Sequence, residues 1–189
     1  LATLQLIAGT LFIERAGRRL FRRLPVVVEI AAVLVLGLAN PTLYNLARAA
    51  VYEAAIIGGD AFLLLGVVFA FDGVWIDHSR RGRLVAAGLA WAAAFGCRAS
   101  VGPAIALLIA ATLVALVRSG PERWAQLRSA AGWLCIPAIT GLFLLLLYNR
   151  LRFDAWLDFG QGHQLTWIDL AARPAYIPPN LYAYLRRPL

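Results

Sequence analysis

The sequence predicts an all-α fold, a polytopic bundle of transmembrane helices with about five complete spans plus a truncated first one, and an extracytoplasmic C-terminal segment. Three observations predict it. The chain is 61% apolar and only 15% charged, with a mean hydropathy of +0.73, whereas soluble domains are nearer half apolar and a quarter charged. Its apolar residues gather into runs approaching the roughly 20 residues that a hydrocarbon core of about 30 Å requires. Its basic residues stand in short clusters between those runs, as orientation signals do.

The elements follow in order. The first run, LATLQLIAGTLFI, has 13 residues, too few to span. The chain contains no Met and opens inside this apolar run, which predicts a fragment whose first helix has been cut, since a mature start after a cleaved signal peptide would be polar. Val26 to Ala39 is a short second run between Pro25 and the pair Asn40 and Pro41. Ala54 to Phe71 is a third, interrupted by Gly58, Gly59 and Asp60. Leu84 to Val117 is 34 residues, about 51 Å as one helix and too long for a single crossing. It must fold back, and GCRASVGP, Gly96 to Pro103, supplies glycine, a charge and a proline that cannot continue a helix interior. Ala131 to Tyr148 is the last run. Residues 1–149 are thus expected to form the transmembrane domain and residues 150–189 an extracytoplasmic loop and helix segment.

All 18 basic residues are Arg, giving a net charge of +8. Such a charge can signal nucleic acid, but here it is spread over inter-helix loops, so no nucleic-acid partner is expected. Loops one, three and five (Glu14–Arg23, Asp77–Arg83, Arg118–Arg128) hold eleven Arg, and the two between them hold two. The positive-inside rule makes the first set cytoplasmic. By parity the tail from Asn149 lies outside, with membrane lipids as the immediate partners. Cys97 and Cys135 fall near opposite surfaces and are not expected to pair.

Charges within a span cost about 2.5 to 3.5 kcal/mol on insertion scales. Glu29, four residues past Pro25, can reach the interface and pair with Arg22 or Arg23. Glu53 and Asp60 are seven residues apart, which returns them to within about 20° of one helix face, about 10 Å apart along the axis. Arg48 and Tyr52 form an adjacent stripe, so that phenol, guanidinium and carboxylate meet at the outer mouth. An interfacial helix with an Arg to Glu pair explains the same residues, and so does a ligand site. Arg98, at the tip of a short hairpin, has two matching counter-anions, a phosphate or one of the acids Asp60 and Glu53. No P-loop, dinucleotide glycines, HExxH or nucleophile elbow is present, and the sequence identifies no cofactor.

The segment RFDAWLDFGQGHQL alternates Phe153, Trp156, Leu157 and Phe159 with acids and amides. One side can pack on a membrane domain while the other offers hydrogen bonds, a surface suited to sugars and equally to an ordinary interfacial loop.

The run YNRLRFDAWLDFGQGHQLTW (Tyr148–Trp167), followed by YIPPNLYAYLRRPL (Tyr176–Leu189), resembles a junction of large bacterial polytopic membrane proteins: an N-x-x-R-F helix exit, an E/D-F-G-x-x-x-Q-L stretch and a P-x-N-L-Y-x-Y-L helix. VYEAAIIGGDAFLLLG and GLAWAAAFGCRAS are similar to their middle helices. Those proteins are grouped with the GT-C glycosyltransferases, the superfamily of protein O-mannosyltransferase-like and lipid A aminoarabinose transferase-like enzymes. The resemblance implies transfer of a sugar from a polyprenyl-phosphate carrier to an envelope glycan, lipid or protein acceptor, with inversion, on the outer face of the bacterial cytoplasmic membrane. It implies a base in a first outer loop, which would precede Leu1. It makes Arg98 and Arg48 candidates for phosphate contact, Glu53 and Asp60 candidate acid, base, metal-binding or supporting carboxylates, since some members use a divalent metal, and Asp154, Asp158, His163 and Gln164 the lining of a sugar or acceptor cleft. The rival reading is a transporter or flippase of a lipid-linked or anionic solute, which broken helices and the intramembrane Asp60 and Arg98 would serve equally.

Overall fold

The computed structural model describes residues 1–21, 24–38, 47, 51–76, 80–118, 123–159 and 174–186. Among them every regular element is helical: α1 (Ala2–Leu20), α2 (Val26–Leu38), α3 (Val51–Trp75), α4 (Arg80–Cys97), α5 (Gly102–Arg118), α6 (Arg123–Phe153) and α7 (Ile177–Arg186), with single 3-10 turns at Ala99–Val101 and Pro174–Tyr176. The chain divides into two compact units, Leu1–Leu146 and Leu147–Leu189.

Among the described residues three stretches are long and apolar enough to cross a membrane: Glu53–Trp75, Ala99–Arg118 and Leu127–Phe153. α2 is apolar apart from Glu29 but has only 13 residues. The surface matches this character. Val26, Val27, Val35 and Leu38 on α2, Leu107 on α5, and Ile136, Ile139 and Leu144 on α6 are all more than half exposed. Large apolar side chains exposed in such numbers would be aggregation-prone in water; against acyl chains they are simply solvated.

Within the first unit the side chains fix how the helices run. Leu36 packs where a Cβ on Gly9 would stand and Leu24 faces Gly17, so α1 and α2 form an antiparallel pair. Leu1 faces Gly58 while Phe12 meets Phe71 edge to face, centroids 5.8 Å apart, so α1 and α3 run parallel. Cys97 faces Gly58, Trp91 faces Gly66 and Leu84 faces Gly73, so α4 returns antiparallel along α3. α4 is the central element. Leu84, Ala87, Trp91 and Ala94 on it are fully buried, in a core shared with Ala70 and Val74 of α3, Ile105 and Leu116 of α5, and Ala130 and Leu134 of α6.

Two close approaches explain why α4 is so rich in Ala and Gly. The indole of Trp91 occupies the space that a Cβ on Gly66 would need, and its Nε1–H donates to the Leu63 carbonyl at 3.3 Å. One turn away on α4, a Cβ on Gly88 would collide with the backbone carbonyl of Leu134 in α6. Membrane helices lack a hydrophobic drive toward one another and gain their packing energy through such small-residue contacts.

The structure extends the helices beyond the apolar runs. Glu14–Arg19, expected in a loop, forms the last turns of α1, and Arg80–Arg83 opens α4. Arg is a good helix former and a long one, so the backbone keeps its hydrogen-bond ladder while the guanidinium reaches water. Gly58, Gly59 and Asp60, expected to interrupt a span, lie within the unbroken α3. The expected fold-back at Gly96–Pro103 is present: α4 ends at Cys97, Arg98 is extended, and α5 begins at Gly102 with Pro103 in its first turn. Pro137 stands inside α6, where neighbouring helices make such an interior proline tolerable.

Candidate functional site

Two charged groupings stand at opposite ends of the α3–α4 pair. The first lies where the N-terminal part of α3 meets the C-terminal end of α4. Gly58 and Gly59 are buried, and a Cβ on Gly58 would come within 3.1 Å of the Cys97 Sγ, one on Gly59 within 3.6 Å of the Arg98 Cβ. The glycines therefore let the exit of α4 lie directly on α3 and bring Arg98 against the residue next to Asp60. Arg98 and Asp60 do not close to an ion pair among the described residues, and Arg98 is held by its backbone, donating to the Ala94 carbonyl at 3.0 Å. Two turns earlier on the same face, Glu53 is half-buried and its Oε2 has no hydrogen-bond partner. A carboxylate left in that state can accept from an incoming hydroxyl. This end thus assembles Glu53, Asp60 and Arg98. Arg48 lies outside the described residues, as does the side chain of Tyr52.

The second grouping went unnoticed in the sequence. Asp72, 2% exposed, accepts a hydrogen bond from Arg15 of α1 through Oδ2, and Arg83 of α4 stands 3.6 Å from the same oxygen. Asp72 Oδ1 is buried without a partner. Around this triad opens a cavity of about 600 Å³ that Arg18, Arg19 and Glu14 also line. Arg18 pairs with Glu14 at 2.6 Å, one turn away. The signal in the sequence was FAFDGVW, whose acid falls one residue past the run ended at Phe71.

In the second unit, the polar segment after α6 begins with a defined turn. Asn149 is buried and donates through Nδ2 to the Trp156 carbonyl at 3.5 Å. Asp154 has a left-handed backbone, φ 55°, and both its carboxylate and its carbonyl accept from Arg150. Arg152 donates to the Tyr148 hydroxyl at 2.8 Å and stacks over the Phe153 ring at 5.0 Å. Asp154 therefore stops α6, a structural duty not foreseen from its sequence position. Asp158 is half-buried in the same turn, and His163 and Gln164 lie outside the described residues. Cys97 and Cys135 are free thiols. Among the described residues no three His, Cys, Asp or Glu side chains gather into a metal-holding group.

No family model, curated protein or solved structure matches this chain.

Proposed function

We propose that the chain is part of a membrane glycosyltransferase that moves a sugar from a polyprenyl-phosphate donor to an envelope acceptor, in a multi-pass bundle of the bacterial cytoplasmic membrane. The observation that carries this reading is the Glu53, Asp60 and Arg98 grouping at one end of the bundle. Transfer from a lipid phosphate needs a cation to hold the leaving phosphate and a carboxylate to take the acceptor proton, and both residue types stand there, Glu53 and Asp60 on α3 and Arg98 at the exit of α4. Arg98 holds the phosphate. Glu53, with its unpartnered oxygen, receives a hydroxyl, and Asp60 balances Arg98 while the site is empty. Arg48 and Tyr52, five residues and one residue before Glu53 in the sequence, belong to the same mouth in this reading. In this reading the end bearing Glu53 and Arg98 faces outward, and five complete spans and a partial first one cross the bilayer. The resemblance of the tail to GT-C proteins supports it independently.

The test is sugar transfer by the full-length protein in membranes supplied with a polyprenyl-phosphate sugar. Arg98→Ala and Glu53→Gln are each expected to lower transfer by about 10²-fold or more, the usual scale for losing a charge-stabilising or proton-accepting group. Transfer at the wild-type rate in both variants would remove these residues from the site.

A transporter or flippase of a lipid-linked or anionic solute is the second reading, favoured by one observation: arginine and carboxylate groups occur at both ends of the α3–α4 pair, as an alternating pathway would require. Movement of labelled lipid or solute across proteoliposomes without any covalent transfer would select it.

A further inference from the structure

The cavity around Asp72 has no role in the reading above, which uses the opposite end of the bundle, and its assignment stands or falls separately. Guanidinium groups outnumber carboxylates four to two among its lining residues; the guanidiniums come from the ends of α1 and α4, and the fold brings them against Asp72 of α3. Arg15 is oriented by the buried Asp72, so one donor is fixed before any ligand arrives. Arg18 and Arg19 reach outward from the last turn of α1, where the negative end of the helix dipole favours their charge. The unpartnered Asp72 Oδ1 is the complementary feature: a buried acceptor lacking a donor, beside a set of groups that only donate. An anion with a hydroxyl near its charge satisfies both.

The second cavity indicates the kind of molecule that carries this anion. It holds about 300 Å³, is lined by Phe12, Leu20, Phe71, Trp75, Leu108 and Ala111 among others, and has an almost wholly apolar wall. It shares no residue with the basic cavity, yet Leu20 follows Arg19 and Phe71 precedes Asp72. An apolar slot and an arginine cavity thus flank the same α1–α3 seam. A free phosphate would use only one of them, whereas an amphiphile uses both, and basic cavities between membrane helices are suited to anionic headgroups.

We propose that the Arg15, Arg18, Arg19, Arg83 and Asp72 cavity binds the headgroup of an anionic phospholipid, its phosphate on the arginines and a headgroup hydroxyl on Asp72, with an acyl chain against the Phe71 and Leu20 wall. Phosphatidylglycerol has the required chemistry. The site makes this end of the bundle selective for an anionic leaflet.

The experiment uses the whole chain in detergent, titrated with phosphatidylglycerol or phosphatidylcholine, with bound lipid counted by native mass spectrometry. Phosphatidylglycerol is expected to bind at least about tenfold tighter, the scale of one charge-assisted hydrogen bond. Arg15→Ala risks unfolding, because it strands a buried carboxylate, so the decisive variant is R18Q/R19Q, both at exposed side chains. It is expected to remove most of the preference while R118Q/R128Q, which deletes the same charge elsewhere on exposed positions, keeps it. Equal loss in the two double variants means diffuse surface attraction and overturns the site. No loss in R18Q/R19Q overturns it as well. Inorganic phosphate at matched concentration is expected not to displace the lipid; full displacement assigns the cavity to a soluble anion and overturns the lipid proposal.

Discussion

The Asp72 carboxylate on α3 accepts a hydrogen bond from the Arg15 guanidinium on α1, 57 residues earlier in the chain, with the Asp72 side chain 3% exposed and Arg15 29% exposed. The pair ties the basic end of α1 to the end of α3 and fixes the parallel course of the two helices. Removing one partner of a buried pair leaves an uncompensated charge and costs about 3–5 kcal/mol, whereas replacing both by apolar residues is often neutral. Arg15→Leu is therefore expected to destabilise by about 3 kcal/mol, the low end because Arg15 is partly exposed and Arg83 remains nearby. Arg15→Leu/Asp72→Leu should recover most of the loss. Melting temperatures in detergent decide it, and an unaltered Arg15→Leu melt would show that α1 is held by other contacts.

Gly88 and Gly82 provide a matched pair on one helix. A Cβ at Gly88 meets the Leu134 carbonyl, which belongs to a rigid backbone, while a Cβ at Gly82 meets nothing within 4 Å. Gly88→Ala is expected to cost about 1–3 kcal/mol through forced separation of α4 and α6. Gly82→Ala is expected to stabilise by about 0.5–1 kcal/mol through helix propensity alone. Denaturation of the two variants side by side checks the sign as well as the size.

Trp91 fills the centre of the core and also makes a hydrogen bond from its indole to the Leu63 carbonyl. Trp91→Phe should lose about 1 kcal/mol, the bond plus a small void, and Trp91→Ala about 3–5 kcal/mol, with a true cavity left behind. Comparable losses for the two substitutions, measured by thermal unfolding, would mean that the bond rather than the packing dominates.

Asp154 occupies left-handed backbone space at the end of α6. A β-branched residue is strained there by about 1–2 kcal/mol, while glycine is not. Asp154→Val is thus expected to unravel the exit of α6 and quicken tryptic cleavage after Arg152, which Asp154→Gly should leave close to the wild-type rate. Equal cleavage in all three proteins would place the helix stop elsewhere.

Helical class and the hairpin at Gly96–Pro103 were legible because each rests on local chemistry: apolar length, and a Gly, Arg and Pro sequence that cannot continue one helix. Helix ends were not. Hydropathy marks where oil gives way to water, but the backbone ladder persists through Glu14–Arg19 and Arg80–Arg83, since arginine is comfortable in a helix on either side of that boundary. Gly58–Gly59–Asp60 was misread as an interruption for a related reason. Glycine weakens an isolated helix, yet against Cys97 and Arg98 it is what permits contact, and that neighbour is 37 or more residues away. The shared face of Glu53 and Asp60 followed from spacing alone. The Arg15 and Asp72 pair did not, because no periodicity connects residues on two helices.

One further consequence comes from the shortness of α2. Thirteen residues rise only about 20 Å, against an acyl region of about 30 Å. In the five-span reading proposed above α2 crosses the bilayer, and there the two lipid leaflets beside it would pucker toward each other, at a fraction of a kcal/mol for each ångström of misfit. Lipids with short tails relieve that deformation and long ones worsen it. The protein should accordingly collect in the thinner patches of a mixed membrane and exert its strongest pull on tail length, independently of any headgroup, along the flank that α2 presents.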